Sequence, residues 1–450
     1  MTSSRPTTAR TPPGPGRSRN PARWLFPVHG DRLAGLTATA RRHGGAARIP
    51  HGPVWIYLFT SPELVRETLV VRADDFTVGR KLRATDEFLG DGLLGSGGEL
   101  HRRQRRLVQP AFHGEAVAGY VDAIAGLAAQ TLDAWRPGDT VDARAEIMGL
   151  ARRVIATVLW GGDAAAHAAS VPDEVEGMID HLELATTPAG RVTRRLPTPR
   201  VRRARAAAAR SRAAVDALIA RHREEGRNGA SLLTMLLEST DEAGRPVPDE
   251  LIRDELRTLL FAGQESVSNA LAWTLWLVSQ HPEVAAALED EVDRELGGEP
   301  PTAATLGRLA WARQTLQEGM RLYPPAWAVG RTALRETTVG PWRVPAGANV
   351  LVSPWVTHRD PEIWPEPARF DPSRFAPEAA RSRDRFAYYP FGGGQRTCVG
   401  AALSMTEGTV ILAMIAQRVR LRWAGDAPPR PRPQITLRPE GGMPMTVEAR

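Results

Sequence analysis

The 450-residue sequence predicts a mainly α fold carrying small β regions, built as one large domain. Three observations carry that reading. Apolar residues recur at three-to-four spacing along most of the chain, which is the helical period. Strand-like runs are confined to two places far apart, Ala47 to Leu58 and Arg335 to Val356, the second punctuated by Gly340, Pro341, Pro345 and Gly347. After a Pro-, Ser- and Arg-rich leader over residues 1–22, no second low-complexity stretch divides residues 23–450, although the chain is far longer than the roughly 150 residues of a typical domain.

Taken in order, the leader lacks the apolar core of a signal peptide and reads as a disordered segment. Helical spacing then appears at Glu63 to Val70, Glu99 to Phe112, Ala143 to Leu159, Asp173 to Leu184, Val201 to Glu225 and Ser231 to Glu238. The longest helix opens at Pro248 and Asp249 and runs to about Gln280, stopping before His281 and Pro282. Further helices are expected at Pro282 to Leu296, Trp311 to Leu322 and Val399 to Arg418. The best apolar runs, Leu271 to Val278 and Val410 to Ala416, fall short of the ~18 residues of a membrane span, so a cytoplasmic protein with no membrane span is expected.

Composition narrows the function. At 42% hydrophobic and 24% charged the chain is that of an ordinary globular protein. One cysteine, Cys398, excludes a disulfide framework and a cysteine-rich zinc site. Lys81 is the one lysine among 58 basic residues, and it stands between Arg80 and Leu82, which removes a P-loop and argues against a pyridoxal enzyme. The net charge of +7 comes from arginines spread along an alanine-rich chain, as a GC-rich coding sequence produces, without interleaved aromatics. No nucleic acid is expected as a partner.

The most informative stretch is Phe391-Gly392-Gly393-Gly394-Gln395-Arg396-Thr397-Cys398-Val399-Gly400. Three glycines let the backbone turn tightly and approach a flat ligand. Cys398 then falls at the N-terminus of the last long helix, where free N–H groups favour a thiolate. Such a sulfur, shielded by Phe391, suits a haem iron; Gly400 lets the helix pass close to the macrocycle, and Arg396 is placed to reach a haem carboxylate. Two other fates for a lone cysteine stay open on these residues alone: a small buried hydrophobe, or a nucleophile paired with a distant histidine.

The decapeptide resembles the haem-binding signature of the cytochrome P-450 superfamily, Phe-x-x-Gly-x-Arg-x-Cys-x-Gly, at every specified position. The resemblance implies further motifs upstream, and they occur in order. Glu318-Gly319-Met320-Arg321 resembles the family's Glu-x-x-Arg, with Arg374 of Phe370-Asp371-Pro372-Ser373-Arg374-Phe375 completing a buried structural triad. In the middle of the longest helix, Ala262-Gly263-Gln264-Glu265-Ser266 resembles the oxygen-activation segment. There Ala262 and Gly263 let the helix open beside dioxygen, and Glu265 and Ser266 relay protons. The chain departs from the commonest form in carrying serine in place of threonine, which keeps the hydroxyl and loses the methyl that restrains it.

His101 and Arg105, four apart on one helical face, together with Arg331 and Arg396, are implied as ligands of the haem propionates. Arg102, Arg103 and Arg106 of the same helix are expected on the side nearest the cysteine, where an acidic electron donor docks. The resemblance runs from about Pro21 to the C-terminus and implies a single haem domain over residues 23–450, with haem b and O2 as cofactors. Electrons come from NAD(P)H through separate proteins, a ferredoxin or flavodoxin and its reductase, and the protein is expected as a monomer.

The activity implied is insertion of one oxygen atom from O2 into a C–H bond of a lipophilic small molecule. The places that touch substrate in the family offer Phe76, Val78, Phe88, Leu89, Leu93 and Leu94, then Leu259, Phe261 and Ala262, then Trp327 and Val329, and finally Met443 and Met445. Nearly all are apolar, so a terpenoid or polyketide-like secondary metabolite is the preferred substrate, with a fatty acid second; Arg80, Lys81 and Arg83 near the pocket mouth are read as a solvated surface cluster first and as contacts for its carboxylate second. A haem-binding sensor without turnover is the rival from another class, and a haem-free cysteine hydrolase a further one.

Overall fold

The computed structural model describes residues 9–16, 31–51, 54–79, 82, 86–161, 179, 198–225, 231–240 and 244–450. Its helices are α1 (Arg32–His43), α2 (Gly98–Val108), α3 (Val121–Leu132), α4 (Ala143–Trp160), α5 (Pro199–Glu225), α6 (Asp249–Gln280), α7 (Pro282–Leu296), α8 (Ala310–Leu322) and α9 (Ala401–Arg418), with shorter turns between. The expected helix at Asp173 to Leu184 lies outside the described residues apart from Ile179. None of the described helices is long and apolar enough to cross a membrane.

Local chemistry explains where the elements begin and end. Asp31 and Asp142 cap α1 and α4 by accepting two backbone N–H groups each. Gly44 and Gly297 close α1 and α7 in the left-handed conformation that an L side chain resists. Asp249 and Glu250 sit in the first turn of α6, where the helix dipole favours negative charge, and His281 ends it ahead of Pro282.

The β structure is more extensive than the two expected regions. A five-stranded sheet runs in the order β1 (Ala46–His51), β2 (Val54–Phe59), β8 (Asn349–Val352), β5 (Val329–Ala333), β3 (Phe76–Val78). A three-stranded sheet joins β4 (Thr140–Asp142), β12 (Pro444–Ala449) and β9 (Val419–Trp423). Two hairpins complete it: β6 (Thr337–Val339) with β7 (Trp342–Val344), and β10 (Pro431–Pro433) with β11 (Leu437–Pro439).

Helices α3, α4, α6, α8 and α9 pack around one large core, with the longest contact between α4 and α6. Trp273, fully buried on α6, stacks on Tyr323 at 4.0 Å between ring centroids and donates its indole N–H to Leu437 O, tying the helical core to β11.

Part of the expected leader is ordered. Arg10 N donates to Pro341 O and Arg343 N donates to Arg10 O, while Arg48 N donates to Pro13 O. A Cβ on Gly14 would lie 2.0 Å from Arg48 O, so only glycine lets the segment lie this close to β1. Residues 9–16 therefore depart from the disorder their composition predicts, because backbone bonds to β1 and to the β6–β7 turn hold them without help from their side chains.

Candidate active site

Residues 391–400 form a compact loop leading into α9. Cys398 N donates to Phe391 O at 2.9 Å, and Gly400 caps the helix. The three glycines have separate reasons. Gly392 and Gly394 hold φ of 71° and 68°, which favours glycine. A Cβ on Gly394 would meet Leu69 O at 1.9 Å and one on Gly393 would meet the Phe386 ring at 2.6 Å. Those two positions are thus shaped by neighbouring protein, whereas Gly392 lines the cavity. At Gly400 a Cβ would meet the Phe112 ring at 3.8 Å, an ordinary contact, so protein packing alone does not demand glycine there.

The exposed surface of Cys398 lies in the wall of a cavity that reaches into the fold. Burial pushes the thiol up, while the Gly400 N–H and the charge of Arg105 pull it back. The expected preference for thiolate is outweighed in the free chain, and a metal at the sulfur would displace the proton.

The four implied propionate ligands line one edge of the same cavity. His101 is 5% exposed, and burial followed by the charges of Arg396, Arg105 and Arg331 pushes its pKa down to about 4, so it is neutral at pH 7. Arg331, on β5, is pushed down to about 10 by burial and by Arg396. Arg105 donates from Nη1 to Thr397 O at 2.6 Å and from Nε to Gln109 Oε1 at 3.1 Å, fastening α2 to the cysteine loop. Arg396 Nη2 donates to Ser96 O. Three guanidiniums thus press on one imidazole, a charge distribution that two carboxylates of a bound group would neutralise.

On the opposite wall, Ala262, Glu265 and Ser266 of α6 line the cavity. Gly263 points elsewhere: a Cβ there would be 2.8 Å from Ile155 of α4, so its smallness serves helix packing. The helix is continuous through this segment. Ser266 Oγ donates to Ala262 O at 2.8 Å. Glu265, 1% exposed, is held fast. Its Oε1 accepts from Asn269 Nδ2 at 2.8 Å, from Thr436 Oγ1 at 2.7 Å and from Arg438 Nε; its Oε2 accepts from Arg438 Nη2 at 2.8 Å and Arg144 Nη2 at 3.2 Å.

Glu318 and Arg321 meet face to face on α8 through two bonds of 2.7 and 2.8 Å, both residues fully buried. Arg321 also donates to the carbonyls of His358, Pro367 and Arg369, and Arg374 Nε lies 3.6 Å from Glu318. Breaking such a pair from one side costs about 3–5 kcal/mol because the remaining charge is stranded.

The cavity, about 1260 Å³, runs from Cys398 along α6 and out toward α1 and β1. Of the expected substrate contacts, Val78, Leu93, Leu94, Leu259, Phe261, Ala262, Trp327 and Val329 line it. Phe76, Phe88, Leu89 and Met443 are absent from the wall, and so is Met445. Phe76 packs with Tyr57, Phe59 and Phe386 beneath the five-stranded sheet. Phe88 and Leu89 pack on Ala204 and Ala208 of α5. Met443 and Met445 are fully buried in the helical core: Met445 lies on β12, the central strand of its sheet, while Met443, just ahead of it, donates its N–H to Asp142 Oδ1 and accepts from Ala143 N.

The C-terminal contribution comes instead from the β10–β11 tip, Gln434, Ile435 and Thr436, which sequence reasoning placed too far along the chain. The available signal was Gln434-Ile435-Thr436, a short segment between Pro433 and Leu437 that reads as the turn of a hairpin. Arg80, Lys81 and Arg83 lie outside the described residues. Arg102 and Arg106 are exposed but share Glu99, at 2.7 and 3.6 Å.

The class follows from what these walls can hold: a flat, iron-bearing dianion such as haem matches a sulfur ligand and a cationic edge within one largely apolar cavity, and the site is that of a haem-thiolate protein. Comparison with known proteins places the chain more closely. Residues 12–445 match the family model for cytochrome P-450. The chain is 39% identical to cyclooctatin synthase of Streptomyces melanosporofaciens over 90% of this chain and 88% of that protein. It is 36% identical to cyclooctat-9-en-7-ol 5-monooxygenase of the same organism over 93% and 90%. Pentalenene oxygenase of Streptomyces avermitilis is 32% identical over 86% and 87%. The crystal structure of a cytochrome P-450 haem domain superposes with a TM-score of 0.84 at 26% identity, covering 98% of both chains.

The chain belongs to the cytochrome P-450 family. It is a haem monooxygenase that uses haem iron and O2 and takes electrons from redox partner proteins.

Proposed function

We propose that this monooxygenase hydroxylates a cyclic terpenoid. The supporting observation is the cavity wall above Ala262: Leu93, Leu94, Leu259, Phe261, Val329 and Ile435 form an apolar chamber with few polar anchors, suited to a rigid hydrocarbon skeleton held by burial. Relatives named for cyclooctatin, cyclooctat-9-en-7-ol and pentalenene point to the same substrate class.

Cys398 is assigned as the iron ligand, and His101, Arg105, Arg331 and Arg396 as the groups that hold the haem carboxylates, with Phe391 and Gly400 shaping the pocket. Haem held there supplies oxygen activation: one atom of O2 enters the substrate C–H bond and the other leaves as water, consuming two electrons and two protons. Apolar side chains orient the substrate and exclude water from it. The Ser266 hydroxyl holds a proton-transfer position on α6 beside Ala262 and, with Glu265, is assigned to proton supply. A ferredoxin or flavodoxin reduced by NAD(P)H in the cytoplasm is the proposed electron source, docking near Arg102, Arg103 and Arg106.

A spectral titration of the ferric protein tests the substrate class. Cyclic terpenes and terpene alcohols are expected to displace the resting haem spectrum at micromolar concentration, and linear fatty acids are not. A response to fatty acids alone overturns the terpenoid reading. Cys398→Ala tests the ligand assignment. The carbonyl spectrum characteristic of thiolate-ligated haem should vanish while far-ultraviolet dichroism stays helical; an unchanged spectrum refutes it.

A further inference from the structure

Glu265 receives five hydrogen bonds on two oxygens, whereas a carboxylate offers about four lone-pair sites. No site is left for the water that would hand it a proton, and none of the five bonds involves Ser266. To serve in proton supply the carboxylate must first lose a donor. Asn269 lies one turn away on α6 itself, and Arg144 sits in the first turn of α4, the helix packed most extensively against α6. The remaining donors, Thr436 and Arg438, belong to a hairpin of two three-residue strands whose tip lines the cavity. Of the elements gripping Glu265, that hairpin has the fewest ladder bonds of its own; it is anchored from outside by Trp273 and Trp327, which donate to Leu437 O and Gln434 O, and by Pro325 O, which accepts from Leu437 N.

We propose that Arg438 is a positioning residue: its two-pronged grip on Glu265 clamps the β10–β11 tip against the cavity, and displacement of that tip by a bound molecule is what frees Glu265 to pass protons toward Ser266. Occupancy of the chamber and proton supply then become one event, transmitted through the two hairpin side chains that hold Glu265, with the two-pronged Arg438 as the stronger. The inference rests on the proposed monooxygenase site but not on the terpenoid assignment, since the clamp exists without substrate.

The test uses the ferric holoenzyme without substrate, with Arg438→Gln and Arg438→Lys. In Arg438→Gln, amide hydrogen exchange across residues 431–439 should quicken by about ten- to a hundredfold, the factor set by losing one or two charge-assisted bonds, while exchange in residues 267–277 stays unchanged. Arg438→Lys, which keeps the charge, should stay within a few-fold of wild type. In reconstituted turnover with a surrogate ferredoxin, the solvent deuterium isotope effect on NADPH oxidation should shrink in Arg438→Gln, because release of Glu265 no longer limits proton supply. In a Glu265→Gln background the same change should have no further effect on it. Hairpin exchange at the wild-type rate, or an isotope effect untouched by Arg438→Gln despite lower thermal stability, overturns the proposal. Failure of every terpene to bind leaves both readouts intact and counts against the substrate assignment alone.

Discussion

Glu255 on α6 offers a measurable test of how burial acts in this protein. Its Oε2 accepts the Leu93 N–H at 3.1 Å, its Oε1 has no partner among the described residues, and the side chain is 2% exposed. Burial, with the neighbouring Asp254 adding to it, pushes its pKa up to about 8 from an ordinary 4.5. The folded protein therefore holds this proton between pH 4.5 and about 8 where the unfolded chain has released it. The associated stability is fully present below about pH 4.5 and is lost as pH rises to about 8.

The shift from 4.5 to about 8, at about 1.4 kcal/mol per unit, sets an upper bound on the order of 4–5 kcal/mol. Glu255→Gln keeps the shape and removes the titration. Its stability relative to wild type should accordingly improve between pH 5 and 9, by up to about 4 kcal/mol, which is at most roughly 4 °C in melting temperature for a chain this long. Melting wild type and variant side by side at fixed scan rate cancels the other titrating groups. A difference in melting temperature that stays flat from pH 5 to 9 would show that Glu255 does not hold its proton, and the burial argument would fail with it.

Two further outcomes follow from the wall of α6. Ser266→Ala removes a hydroxyl whose one bond among the described residues is to Ala262 O, so the fold should be untouched while oxygen consumption is diverted to peroxide and product per NADPH falls about tenfold or more; unaltered yield would show the hydroxyl to be dispensable. Gly263→Ala drives a Cβ to 2.8 Å from Ile155, and despite a helix-propensity gain near 1 kcal/mol it should destabilise by about 1–2 kcal/mol in guanidinium unfolding. That penalty should disappear in an Ile155→Ala background, and its persistence there would separate Gly263 from helix packing.

Elements whose signal is local were the legible ones. Strong apolar periodicity placed α4, α6, α7 and α8 to within a residue or two, and Phe391 to Gly400 could be read directly because a ten-residue loop supplies both ligand and scaffold. Helices α1 and α3 escaped although both carry apolar residues at helical spacing, Leu33, Leu36 and Ala40 in α1 and Val121, Ile124, Ala128 and Leu132 in α3, so the signal for them was present. Long-range placement, by contrast, was hidden. Arg144 and Arg438 look like dozens of other arginines in this chain, and nothing local marks them as the pair that meets over Glu265. Likewise Met443 and Met445 have the composition of a pocket wall, and only long-range contacts turn them into the core: the pairing of β12 with both neighbours for Met445, and the bonds to Asp142 and Ala143 for Met443.

The ordered stretch at residues 9–16 bears on how the protein is handled. Strand β1 is an outer strand of its sheet, and the Arg48 N–H bond to Pro13 covers part of that open margin. A shortened version begun at α1 to discard an apparently useless tail would bare this margin and invite chain-to-chain strand addition. Affinity tags belong ahead of residue 9 or after Arg450, and sluggish precipitation of trimmed preparations would be the symptom of having cut too far.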